Sequence, residues 1–161
     1  MANDPTTPAI QHLRERGIAH RVFAHTGPVN SLEQAAAERQ QRPEQVVRSI
    51  VFRIADGEFV MVLVAGPGQI PWKALRRYLG QNRLTMATEE ELLQVTGCVP
   101  GSVSPLGLPR PMRILIDQKV LDPPEISLGS CRRGLAIILK PADLLAAIDS
   151  PEIVNLTGQS G

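Results

Sequence analysis

An α+β domain, with helices packed around a mostly antiparallel mixed sheet or partial barrel, is what this sequence predicts. Three observations lead there. Helical and extended stretches follow one another irregularly instead of in regular βα repeats. Two apolar stretches, 46–54 and 59–65, are joined by Asp56-Gly57, a dipeptide that accepts the positive φ angles of a tight antiparallel hairpin. With 161 residues, 43% apolar and 20% charged, the chain can bury one core without disulfide staples. A single domain over 1–161 is expected, with its ordered core at about 8–150.

In chain order, Ala9 to Arg16 places Ile10 and Leu13 on one side among charges and stops at Gly17, which predicts a helix. Arg21 to His25 reads as a short strand. Ser31 and Gln34 fit a capping box, so a helix is expected to run to about Gln40, its Ala35-Ala36-Ala37 suited to close packing. Val46 to Ile54 is a strand interrupted by Arg48 and Arg53, and Phe59 to Ala65 is apolar enough to be central. Gly66-Pro67-Gly68 breaks it.

Pro71 to Leu79, closed by Gly80, and Thr88 to Val95, with Thr88 and Glu91 as a capping box and Gly97 as its stop, are the next helices. Met112 to Asp117 alternates towards a buried Ile114 and Ile116. Pro123-Pro124 turns the chain, Glu125 to Leu128 is extended, Gly129-Ser130 is a flexible point, Leu135 to Leu139 is a strand and Pro141 to Ile148 a helix. The tail is expected to fray after Asn155.

Composition narrows the function. A formal charge of +1 excludes a global basic field, so any nucleic-acid contact must be local. The candidate spots are Arg76, Arg77 and Arg83, then Arg110 and Arg113, then Arg132 and Arg133. Cys98 and Cys131 match neither C-x-x-C nor a zinc pattern, and His12, His20 and His25 lack metal spacing, so no metal site is expected and the histidines read as structural. No signal peptide or membrane span is visible, which predicts a cytoplasmic protein with reduced thiols and no membrane partner. Nucleophile elbow, phosphate loop and dinucleotide fingerprint are all missing. Trp72 reads as a core anchor, because stacking platforms come in groups and aromatic residues are 3% of the chain.

Two features stay open on residue chemistry alone. The stretch Gly97 to Gly107 holds three glycines and two prolines, so it is either an ordinary connection or a rigid site of backbone donors centred on Gly101 to Pro105. Arg48, inside Val46-Val47-Arg48-Ser49-Ile50, points either to solvent from a sheet edge or into a ligand pocket.

The order of four features resembles the YbaK/prolyl-tRNA synthetase-associated domain family, whose members hydrolyse mischarged aminoacyl-tRNA. These are the Val46 to Phe52 strand, the Thr96-Gly97 helix exit, the Gly101-Ser102-Val103-Ser104-Pro105-Leu106-Gly107 loop with the family's Gly-x-x-x-Pro pattern, and Arg133-Gly134-Leu135 leading into Pro141-Ala142-Asp143-Leu144. The match spans about residues 8 to 150. It implies a YbaK-like fold and a trans-editing deacylase for a small amino acid on tRNA, with tRNA for proline the first candidate, that needs no cofactor.

By the same resemblance, the reaction centre comprises Arg48, Gly101, Ser102, Val103, Ser104 and Pro105, and Ile50, Gly97, Gly107, Gly129, Ser130 and Arg133 contact substrate. Water attacks the ester, aided by the terminal ribose hydroxyl, while main-chain donors hold the oxyanion. The implied partners are the aminoacyl-tRNA acceptor end and, secondly, a synthetase. Family members usually carry lysine where this chain has Arg48. Arginine keeps the charge but cannot act as a base, so a member that binds an aminoacyl-tRNA end, a synthetase or a small metabolite without cleaving is the alternative. Lys73, on the next helix, is not expected to substitute.

Overall fold

A computed structural model describes residues 6–157. Local chemistry at the helix ends starts or stops most of its helices. Helix α1 (Pro8–Glu15) begins where the Thr7 hydroxyl accepts from the Ile10 N–H and buries Ala9, Ile10 and Leu13. Helix α2 (Leu32–Glu38) is capped by Ser31, but the Gln34 amide oxygen returns to the Asn30 N–H instead of closing the box on Ser31. Helix α3 (Trp72–Leu79) ends on Gly80, α4 (Glu89–Thr96) carries the reciprocal Thr88–Glu91 box and ends on Gly97, and α5 is Pro141–Ala147.

Strands β2 (Val47–Ala55) and β3 (Glu58–Ala65) form the hairpin expected from Asp56-Gly57, with Gly57 at φ 74°. They belong to a five-stranded sheet of order β4-β2-β3-β5-β8, where β4 is Thr85–Met86, β5 Arg113–Asp117 and β8 Glu152–Val154. The β3–β5 and β5–β8 pairs are parallel and the others antiparallel. A second, antiparallel sheet has order β1-β7-β6, from Arg21–Ala24, Leu135–Leu139 and Ile126–Gly129. The sheets meet where Val46 bridges Ser127. The domain is thus α+β with a mixed, mostly antiparallel sheet system.

The larger sheet is covered on both faces. One core joins it to the smaller sheet through Val47, Val51, Met61, Leu63, Ile114, Ile116, Leu128 and Ile137, with Ile10 and Leu13 of α1. The other packs Phe52, Val60, Val62, Val64 and Leu115 beneath Leu75 of α3. Two-sided burial explains the unbroken apolar run of β3 and corrects the reading of β5, where Leu115 is as buried as its neighbours because it faces the second core. Trp72 is an anchor in that core, its ring edge-on to Phe52 at 5.2 Å.

Two further expectations are corrected. The chain does not fray directly after Asn155: Leu156 is buried, and the wholly buried Asp117 carboxylate accepts from the Leu156 and Thr157 N–H groups at 2.8 and 3.0 Å. The remaining expected fraying lies outside the described residues. The cysteines are not reduced thiols. Cys98 and Cys131 form a disulfide with Cα atoms 5.0 Å apart, because the β6–β7 hairpin swings Cys131 against the exit of α4.

Candidate functional site

A cleft of about 860 Å³ opens along β2. Its position follows from sheet geometry: β2 is paired with β3 along its length, but on its other side β4 reaches only Phe52 and Arg53. The bonds Gly66 N–H to Val46 O and Ala87 N–H to Val51 O set the phase of that strand. Even-numbered residues bond to β3, and the main-chain groups of Ser49 face the uncovered edge. The Ser49 hydroxyl is buried there without a partner.

Residues 25–39 with α2 form one wall, Val46 to Ile50 the floor, and Gly101, Val103 and the β6–β7 hairpin the other wall. Four arginines line it, Arg39, Arg48, Arg132 and Arg133, with His25 and no Asp or Glu. In a chain of net charge +1, that segregation makes a local cationic field over a partly apolar floor.

Arg48 lies on the face of β2 that also carries Ile50 and turns towards the second core. Its Nη2 donates to the Gly68 carbonyl, its Nε is buried without a partner, and burial lowers its pKa from the ordinary guanidinium value. On the wall formed by residues 25–39, Arg39 donates from Nε to His25 Nε2 at 3.0 Å and from Nη1 to Ser127 Oγ at 2.9 Å. Burial lowers its pKa too, opposed by the charge of Glu38. Lys73 lies away from this cleft, on a smaller cavity beside α3.

The glycine-rich loop divides. Gly101, at φ 85°, and Val103 line the cleft. Ser102 is buried behind it with Oγ donating to Val99 O at 2.8 Å, Ser104 is buried with Oγ accepting from the Leu106 N–H, and Pro105 is buried beside them. Gly97 closes α4, and Gly107 packs so tightly on Pro8 that a Cβ would lie 2.3 Å from its carbonyl oxygen. The Ser102 N–H bonds to Val99 O at 3.1 Å, whereas among the described residues the N–H groups of Gly101, Val103 and Ser104 have no acceptor.

The β6–β7 hairpin holds that loop in place. The Cys131 N–H donates to Ser102 O at 2.7 Å, Arg133 Nε to Pro100 O at 3.0 Å, and the Cys98–Cys131 disulfide adds a covalent tie. Gly129 and Arg133 line the cleft, while Ser130 is buried with its hydroxyl on Leu135 O at 2.6 Å. Of the expected site residues, the fold therefore brings Arg48, Ile50, Gly101, Val103, Gly129 and Arg133 to one cavity, buries Ser102, Ser104, Pro105 and Ser130 behind its walls, and leaves Gly97, exposed at the end of α4, and Gly107, packed on Pro8, outside its lining. His25 and Arg39 carried no signal in the sequence. They lie on different segments and meet only in the folded chain.

The cleft thus combines Gly101 and Val103, whose N–H groups have no acceptor among the described residues, with the guanidinium groups of Arg39 and Arg48. The chain belongs to the aminoacyl-tRNA editing domain family, whose model matches residues 26–147. It is 35% identical over 134 residues to proline–tRNA ligase of Streptococcus pneumoniae, a match covering 83% of this chain and 21% of the ligase, so the chain spans about a fifth of that relative. Among solved structures it is similar to a candidate trans-editing enzyme for prolyl tRNA synthetase, with TM-score 0.84 and 24% identity over 98% of this chain and 100% of that one. A hypothetical protein, APE2540, superposes with TM-score 0.83 at 19% identity over 93% and 99% of the two chains. These two likenesses support the fold. Among the described residues, no helix is long and apolar enough to cross a membrane.

Proposed function

We propose that this protein is a trans-editing deacylase, hydrolysing the ester between a small amino acid and the 3′ end of a tRNA on which it is mischarged. Its membership of the aminoacyl-tRNA editing family and the proline–tRNA ligase relative make tRNA for proline the first candidate. The observation that carries the proposal is the pairing of acceptor-free N–H groups at Gly101 and Val103 with Arg48 on one cleft free of carboxylates.

In this reading water adds to the ester carbonyl carbon, the N–H groups hold the developing oxyanion, and Arg48 holds the carbonyl or the terminal ribose. Collapse breaks the ester C–O bond, releasing the amino acid and leaving the ribose hydroxyl on the tRNA. A well-placed donor of this kind contributes about 3–4 kcal/mol. Arginine keeps its proton, so the proton lost by the attacking water passes through solvent or the neighbouring ribose hydroxyl to the leaving ribose oxygen. An aminoacyl-tRNA panel tests the proposal. Release of alanine, serine or cysteine above the buffer rate is expected, with Arg48→Ala slowing it about 100-fold; no release from any member refutes it.

A second reading has its own observation: Arg48 is already engaged by the Gly68 carbonyl. A module that binds an aminoacyl-tRNA end or a synthetase without cleaving predicts tight binding and no hydrolysis. Wild-type hydrolysis abolished by Arg48→Ala eliminates it.

A further inference from the structure

We infer that Arg39 is a phosphate-binding subsite for the single-stranded RNA end that enters the cleft, on the wall formed by residues 25–39 beside the floor that carries Arg48; this rests on the aminoacyl-tRNA reading above. Arg39 lines the cleft, and its fork is held in one plane by two neutral acceptors, His25 Nε2 at 3.0 Å and Ser127 Oγ at 2.9 Å. Because His25 Nε2 accepts, the imidazole proton sits on Nδ1 and is donated to Glu38 at 2.6 Å. Glu38 also accepts from Gln34 Nε2 at 2.8 Å, so the nearest acid is occupied elsewhere and forms no salt bridge with Arg39.

An arginine has five N–H donors, and only two of these are used. The other three belong to a half-buried, oriented cation whose cleft contains no carboxylate. Such a fork matches a planar or tetrahedral oxyanion bidentately. An aminoacyl ester presents an ammonium group and a neutral carbonyl, so the anions a tRNA end can offer are its phosphodiesters. Arg39 is a binding residue in this scheme, and His25 and Ser127 position it.

The test is a fluorescence-anisotropy titration of a labelled, uncharged RNA strand ending in CCA against wild type, Arg39→Gln and Arg39→Lys, between 50 and 300 mM salt, with melting curves for all three. Arg39→Gln should weaken binding about tenfold and reduce the slope of log K against log salt by about 0.7, the increment for one single-strand phosphate contact. Arg39→Lys should keep the slope. An unchanged slope in Arg39→Gln, equal losses in both variants, or no binding by wild type would overturn the inference. Arg39-dependent RNA binding by a protein that cleaves no aminoacyl ester would leave the subsite standing and defeat the deacylase reading alone.

Discussion

Replacing Gly129 with alanine tests whether the Gly101–Pro105 loop works only where the β6–β7 hairpin holds it. An added Cβ would lie 2.2 Å from Val103 O, 2.9 Å from Ser102 O and 3.0 Å from Val103 C, against the 3.4 Å at which ordinary contact begins. One of the two backbones must therefore retreat by roughly 1 Å. The loop cannot do so freely, because the Cys131 N–H and the disulfide tie it to the same hairpin. Overpacking of this kind costs about 1–3 kcal/mol, a fall in melting temperature on the order of 5 °C for a chain of this size. A 1 Å displacement of donors from the oxyanion costs about 100-fold in rate. Thermal denaturation by circular dichroism and single-turnover deacylation read the two effects. Gly27→Ala, also on the cleft but with nothing within 4 Å of its added Cβ, should melt close to wild type. A Gly129→Ala protein with wild-type melting and wild-type turnover would refute the steric argument.

Two further outcomes follow from the geometry. Reducing the Cys98–Cys131 bond, which links residues 33 apart, removes about 4 kcal/mol in the chain-entropy model and should lower the urea midpoint; identical midpoints with and without reductant would contradict it. Hydrogen bonds from Arg113, at 2.6 and 2.9 Å, hold the Glu152 carboxyl below its ordinary value of 4.5, with Tyr78 adding to the effect. A depressed carboxylate pKa contributes stability that is fully present above 4.5 and lost as pH falls through the folded value, so Glu152→Gln should flatten the acid limb of a stability–pH profile. An acid limb of unchanged steepness in that variant would show that the pair contributes nothing.

Much of the fold was legible because its signals are local. Thr88 and Glu91, Asp56-Gly57, and the Gly17 stop act within one turn of chain, and there the expected and observed elements agree to within a residue or two. Strands β4 and β8, of two and three residues, are too short to carry a period, and β8 exists because Glu152 to Val154 find β5 some 37 residues back. The four residues of β5 that pack read as alternating because nothing nearby announces a second core beneath Leu115.

The Gly97–Gly107 loop shows the same division. Its glycines and prolines made Gly97 to Gly107 legible as an irregular loop while leaving open whether it is a connection or a site, and the strand containing Arg48 was recognisable as a strand. Which loop atoms face the cleft was settled by contacts across the chain. The turn from Val99 to Ser102 turns the Ser102 hydroxyl inward, the bare Gly129 backbone lets Val103 O approach closely, and Cys131 fastens the loop to the hairpin. The cationic cleft likewise draws on segments near 25–39, 46–50, 101–103 and 128–135. Capping and turn chemistry act over a few bonds and can be read from neighbours. A cavity is the space left between segments whose relative positions depend on sheet register and core packing, and those terms enter only when the whole chain has folded.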